Sequence, residues 1–281
     1  MTETSGPVPI RLLDDKPFNK HSMNVNNQTS PFDNGNIDVG IDNITVKLVQ
    51  GIDEDALRIT LGRSVLATIG VDPNVPPEKL PWEEMFKGGL QTALESQVLV
   101  FEVAGVSRTC THQLVRSRRA AFHQQSQRAS FMGNRPDTRL PMSVFRNTRA
   151  HAAAMEAIAA AHHAYEIACE EDIAFQDARF ILPEGTETYI LCEYPIREFL
   201  NVYAYRACSM FQWEIMTVMR LMKQELVAAH PWIEKYVKIT CEKTKVCEFQ
   251  GWERVEGHCE LPWAKEDNRR YQPDPSLRIG G

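Results

Sequence analysis

The chain has 281 residues, 43% of them hydrophobic and 24% charged, with a formal net charge of −6. That composition suits a globular protein with a sizeable core, and no run approaches the roughly 18 apolar residues that would cross a bilayer. The start, Met1-Thr2-Glu3-Thr4, lacks the basic-then-apolar pattern of a secretory leader, so a cytoplasmic protein is expected. Seven cysteines at irregular spacing fit reduced thiols better than a disulfide framework.

Residues 1–40 are rich in Asn, Asp, Ser, Pro and Gly. With so few apolar residues they read as a polar, flexible arm. Asn43 to Gln50 alternates like a strand, and Ile52 to Leu57 follows with the acids expected in a first helical turn. Gly62 to Val71 extends that helical region, and Pro73 to Pro81 reads as a loop. A short helix is predicted from Pro81 to Leu94, then an apolar strand over Val98–Ala104. Residues 130–147 contain Gly133, Pro136 and Pro141 and read as irregular. Two long helices are predicted next, over about 148–179 and 196–229, each with apolar residues at spacings of three and four, and Pro231 marks a stop. Together these elements define a domain over 41–235, followed by a C-terminal extension over 236–281 with no assigned role. Within that extension Cys241, Cys247, His258 and Cys259 match no familiar zinc spacing, and no metal is expected.

The feature that carries chemistry is the stretch 108–149, with nine arginines, no lysine and one acid, Asp137, in an otherwise acidic chain. Guanidinium groups bind phosphate oxygens in a planar fork, so an arginine-only cluster favours defined anion recognition over a diffuse basic surface. Inside it, Arg116-Ser117-Arg118 is followed after seven residues by Ser126-Gln127-Arg128, with Gln113 three before the first arginine. A second block runs from Ala178-Arg179-Phe180-Ile181-Leu182-Pro183 through Arg197, Asn201 and Arg206 to Gln212-Trp213-Glu214-Ile215.

Read together, the two blocks resemble the flavin-dependent thymidylate synthases, marked by Arg-His-Arg, seven residues, then Ser. The resemblance covers roughly residues 44–235 and is strongest at these blocks. It implies a mixed α/β (α+β) fold, an antiparallel or mixed sheet flanked by long helices, and a homotetramer with active sites shared between subunits. It also implies FAD as cofactor, with methylenetetrahydrofolate and NADPH as co-substrates, and one-carbon transfer to C5 of a pyrimidine deoxynucleoside monophosphate. Carried over by position, Gln113, Arg116, Ser126, Gln127, Arg128, Arg179 and Arg206 are expected to hold the nucleotide, Arg206 being the catalytic cation beside the ionised ring. Thr92, Ser117, Arg118, Arg119, Gln124, Arg197 and Asn201 fall on flavin positions.

Several positions depart from the family pattern. Ser117 stands where the family has the motif His, Ser96 for another His, Pro195 for Asn, Met210 for His and Ala129 for Tyr. Serine cannot carry a proton as imidazole does near neutral pH, and proline has no N–H to offer. A weakened flavin site is therefore expected, and both methyl and hydroxymethyl products stay open. Two other readings compete: a member that binds nucleotide without the flavin reaction, and a nucleic-acid-binding protein whose arginines contact backbone phosphates. The acidic total charge, with Gln113 and Ser126 set among the arginines, argues against the last.

Overall fold

The structure is a computed structural model that describes residues 43–69, 82–86, 88–132 and 138–249. The arm over 1–40, the loop over 73–81 and residues 250–281 lie outside the described residues, and with them His258 and Cys259.

Four strands form one antiparallel sheet in the order β1-β2-β4-β3: β1 (Thr45–Gln50), β2 (Val98–Ser107), β3 (Ala121–Gln124) and β4 (Glu187–Pro195). All three strand pairs are antiparallel, so the sheet has no mixed character. In β2, Leu99, Phe101 and Val103 alternate onto the core face, and Phe101 lies opposite Cys192 of β4. The period-2 pattern thus buries one set of side chains, each large one worth about 1.5–3 kcal/mol. Gly105 sits at a register shift in β2 with φ +70°; a Cβ there would lie 2.2 Å from the Asn43 carbonyl oxygen, so only glycine fits.

Helix α1 (Glu54–Ile69) buries Leu57 and Leu61. The predicted helix before β2 is instead two 3₁₀ segments, Trp82–Phe86 and Gly88–Glu95. Helix α2 (Arg108–Leu114) follows β2 directly, and α3 (Met142–Phe145) is a single turn in the region read as irregular. Helix α4 (Thr148–Glu170) ends earlier than the 179 expected, because Asp172 turns the chain with φ 58°; α5 (Phe175–Ala178) is a separate short turn. The single helix predicted over 196–229 is two: α6 (Ile196–Arg206) and α7 (Trp213–Ala229), with Gln212 capping α7 by accepting the Glu214 and Ile215 N–H groups. Periodicity spans such breaks when both helices face one core.

That core lies between the sheet and helices α1, α6 and α7. On α7, Ile215, Val218, Met219, Met222 and Leu226 are all fully buried, and Phe199 of α6 stacks on Phe101 at 5.4 Å. After α7 the chain continues into the same core, burying Ile233, Val237, Ile239 and Cys241, the last on α8 (Thr240–Thr244). Helix α4 contributes elsewhere: Tyr165 packs with Met132 and Ala178, its hydroxyl accepting the Met132 N–H at 3.0 Å.

Candidate active site

The first motif grows out of the end of β2. Ser107 accepts the Cys110 N–H through its Oγ at 3.0 Å and so starts α2, which buries Cys110, Thr111 and Leu114 and leaves Gln113 half-buried at its far end. Two successive turns follow, with the Ser117 N–H donating to the Leu114 carbonyl at 3.1 Å and the Ala120 N–H to the Ser117 carbonyl at 3.4 Å. They expose Arg116, Arg118 and Arg119 and leave Ser117 half-buried. The chain then runs through β3 to Ser126, Gln127 and Arg128. A four-residue strand rises about 13 Å, so the two halves of the motif sit at opposite ends of β3.

At the Arg119 end, Glu95 is the hub. Its carboxylate accepts from Arg197 at 2.7 Å and lies 3.7 Å from Arg119, joining the 3₁₀ segment before β2 to the turn before β3 and the first turn of α6. Thr92 and Asn201 are exposed on these same elements. Ser96 donates its hydroxyl to the Ala93 carbonyl at 2.8 Å, and Pro195 precedes α6 as its N-cap. Gln124, expected at the flavin, donates to Thr111 at 3.0 Å and thereby braces β3 against α2.

At the other end, the Ser126 Oγ accepts the Arg128 N–H at 3.3 Å, and Arg128 is exposed. Gln127 is 6% exposed, with its Nε2 hydrogens unmet among the described residues. Such a donor suits an acceptor that arrives with a ligand. Here too Arg139, 3% exposed, holds Glu187 at 2.7 Å. A cavity of about 430 Å³ is lined by Arg139, Ser107, Met210, Gln212 and Glu214. Arg179 donates its Nε to the Gln176 carbonyl at 3.1 Å, directly after α5. Arg206 closes α6 with its guanidinium 5.0 Å from the Phe211 ring centre, at a helix C-terminus that favours a cation.

The donor set fits a flavin dinucleotide. Arg119 and Arg197 bring two positive charges onto Glu95, which neutralises one, with Arg118 exposed next to Arg119 in the chain, and forks of this kind match pyrophosphate oxygens. The cysteines fit the role of nucleophile poorly. Burial pushes the Cys192 thiol to about 12 and, with Glu214 and Cys192 nearby, pushes Cys110 well above its usual range, so both stay protonated at neutral pH. Sequence reasoning missed Glu95 as the hub and Arg139 as the buried arginine. An acid beside Ser96 gives no pattern, whereas the bridge Thr138–Thr186 that buries Arg139 pairs residues far apart in the chain.

The family model described as thymidylate synthase complementing protein matches residues 78–232. A flavin-dependent thymidylate synthase of Geobacter sulfurreducens is 32% identical over 183 residues, 61% of this chain and 78% of the relative. One from Sulfurisphaera tokodaii is 33% identical over 154 residues; the match spans 54% of this chain and 59% of the relative. Among solved structures, the UMP/dUMP methylase PolB of Streptomyces cacaoi bound with 5-Br dUMP superposes with TM-score 0.57 at 17% identity, covering 71% of this chain and 96% of that one. Thymidylate synthase X of Helicobacter pylori with FAD and dUMP superposes with TM-score 0.55 at 16% identity, covering 69% and 99%. These two likenesses concern the fold. With a family model matched across both motif blocks, and relatives about one-third identical, the chain belongs to the flavin-dependent thymidylate synthases, flavoenzymes that pass a one-carbon unit to C5 of dUMP.

Proposed function

We propose that this chain methylates dUMP at C5 in the cytoplasm, with FAD as cofactor, methylenetetrahydrofolate as carbon donor and NADPH as reductant. The observation that carries the reading is the paired placement of the two motif blocks. Arg119 of the first block and Arg197 of the second meet on Glu95, while Gln127, with its unmet amide, and Arg128 follow β3 and Arg206 ends α6. When bound, the flavin would supply hydride chemistry; the protein's residues bind, orient and stabilise charge. Arg116, Arg128 and Arg179 neutralise the phosphate, with Gln113, Ser126 and Gln127 completing its contacts and orienting the nucleotide. Arg206 stabilises negative charge on the ring, which makes C5 nucleophilic without a thiol attacking the base. Ser117, Arg118, Arg119, Thr92, Gln124, Arg197 and Asn201 face the flavin, Gln124 through its brace on Thr111.

The active form is a homotetramer whose sites are shared. Arg116 and Arg128, both assigned to the phosphate, lie on either side of β3, a strand that itself rises about 13 Å, so one copy's Arg116 and another's Arg128 can meet on one phosphate. A second copy would bring the missing half. Helix α4 supports this, since Ile158, His162 and Tyr165 are its buried residues while Ile167, Ile173 and Phe180 nearby are 45%, 47% and 83% exposed.

The test offers dUMP, UMP and dCMP in parallel with FAD, NADPH and methylenetetrahydrofolate, and reads the product by mass spectrometry. Gain of one methyl group by dUMP is expected. A hydroxymethyl product would replace the methylation with water capture, and binding of dUMP without any product would leave a nucleotide-binding protein. Tight oligonucleotide binding with a steep salt dependence would point to the arginines serving nucleic acid.

A further inference from the structure

Three cysteines from separate parts of the chain line one small cavity, of about 20 Å³. Cys208 lies in the turn between α6 and α7, Cys241 in α8 and Cys247 just beyond it, and they are 8%, 8% and 6% exposed. Backbone geometry brings them together. The Cys208 N–H donates to the Tyr205 carbonyl at 3.1 Å and the Phe211 N–H to the Cys208 carbonyl at 3.1 Å, which holds Cys208 in successive turns after Arg206. Thr240 donates its hydroxyl to the Ala204 carbonyl at 3.2 Å and so ties the start of α8 to the end of α6. Helix α8 then stops at Lys245, whose φ of 58° turns the chain back while its N–H donates to the Cys241 carbonyl at 2.8 Å. Cys247 thereby returns to the cavity that Cys241 lines. Phe249 lines it as well and packs edge-on against Phe211, with ring centres 5.9 Å apart.

A single buried cysteine is an inert apolar residue, but three on one cavity form a soft ligand set of the kind that selects zinc. Space of about 10–15 Å³ already holds one water, so this cavity suits one ion and is too small for an iron–sulfur cluster. Among the described residues no group of three donors is already set to hold a metal, and a closed zinc site takes four ligands. The sequence supplies two more donors, His258 and Cys259, in the part of the extension that lies outside the described residues. We propose that Cys208, Cys241 and Cys247 bind a zinc ion as thiolates, with His258 or Cys259 as the fourth ligand. Each thiol releases its proton to solvent as its sulfur–zinc bond forms. Cys241, Cys247, His258 and Cys259 match no familiar spacing by themselves because Cys208 sits far upstream, before α7. The ion has no open position for catalysis; it staples the C-terminal extension to the turn after Arg206, and gives that extension a structural role.

The experiment incubates the untagged full chain with zinc under reducing conditions, dialyses away the excess and measures the metal retained by elemental analysis. Cobalt(II) in place of zinc reports thiolate ligation through its sulfur-to-metal charge-transfer band. About one zinc per chain is expected, with that band present. Zinc should also protect Cys208, Cys241 and Cys247 from alkylation until a chelator is added, while Cys169, half-buried on α4, reacts alike in both states. Cys208→Ser, Cys241→Ser and Cys247→Ser should each weaken zinc by more than the about 10–100-fold that loss of an outer-shell partner costs. Cys259→Ser and His258→Ala identify the fourth ligand, and zinc affinity unchanged in both removes that assignment. Chelation should lower the thermal midpoint of the wild-type protein and leave the serine variants where they are. Where a serine variant fails to fold, the alkylation pattern of the wild type decides. Wild-type protein that retains no zinc, a cobalt complex without the sulfur band, or full zinc retention in all three serine variants overturns the proposal. A disulfide between any two of the three in protein kept under reductant overturns it too, and makes the cavity a redox pair.

Discussion

Replacing Glu214 by leucine should unfold this protein far more readily than removing any arginine of the motif, because its carboxylate is a structural joint. Glu214 is 1% exposed in the first turn of α7 and accepts the Ser107 N–H at 2.5 Å and the Ser107 hydroxyl at 2.6 Å, with the Gln212 amide at 3.5 Å. Ser107 in turn accepts the Cys110 N–H, so one carboxylate ties β2, α2 and α7 together. Leucine leaves the Ser107 N–H and hydroxyl buried without it, at about 1–3 kcal/mol each, so roughly 2–6 kcal/mol is lost from a domain stability of order 5–15 kcal/mol. Glu214→Gln is milder, because its amide oxygen can accept one donor while its NH₂ gives to the serine oxygen; about 1–2 kcal/mol is expected, mainly the lost charge. Urea denaturation at fixed protein concentration reads both as a lower midpoint with unchanged slope. A Glu214→Leu midpoint equivalent to within about 0.5 kcal/mol of wild type would refute the joint. So would Glu214→Gln protein of wild-type stability whose turnover is abolished, the signature of an acid or base instead.

The motif was legible because its residue types and spacing carry chemistry that no fold requires; β1 was legible from its alternation, whose Val46 and Leu48 pack half-buried on the core, and β2 from its apolar run, whose inward residues are buried. What stayed hidden depends on pairing across the chain. Strand β4 passes unrecognised in Glu187–Pro195, since its alternation includes Cys192 and Tyr194, whose burial is settled by β2 and Phe199. Helices α6 and α7 share one apolar stripe, and only the Gln212 cap separates them. Glu214 stood within the recognised motif, yet its partner is Ser107, distant in sequence, so a motif residue turns out to hold the fold rather than the substrate. Gln124 shows the same ambiguity: the position implied a flavin contact, and in this chain its amide grips Thr111.

Gly105→Ala should lower stability by at least about 1–2 kcal/mol, the strain of a left-handed residue, with the approach to the Asn43 carbonyl adding to it; a thermal midpoint equal to wild type would count against the bulge. His230→Ala should cost about 1–3 kcal/mol, because its Nε2 accepts the Ile52 N–H at 2.9 Å while Nδ1 donates to Glu54 at 3.0 Å, and urea midpoints read the loss. Alkali should destabilise the fold. Cys192 and Tyr203 are held at about 12 against usual values of 9.0 and 10.0, so above about pH 9 the unfolded chain ionises first and stability falls toward pH 12; a flat stability between those limits would contradict the burial. Arg206→Ala should lower turnover roughly 10²–10³-fold, about 2.7–4 kcal/mol of transition-state stabilisation, while changing the dUMP dissociation constant less. The guanidinium sits at the end of α6 beside the Phe211 ring; in the proposed reaction it would meet charge that develops only as the ring becomes nucleophilic, so the ground-state complex would lose little. Lysine puts its charge at a single point and lacks the planar fork, so Arg206→Lys should recover a minor part of the rate. Equal losses in turnover and in dUMP affinity would make Arg206 a phosphate or base anchor and refute its electronic role.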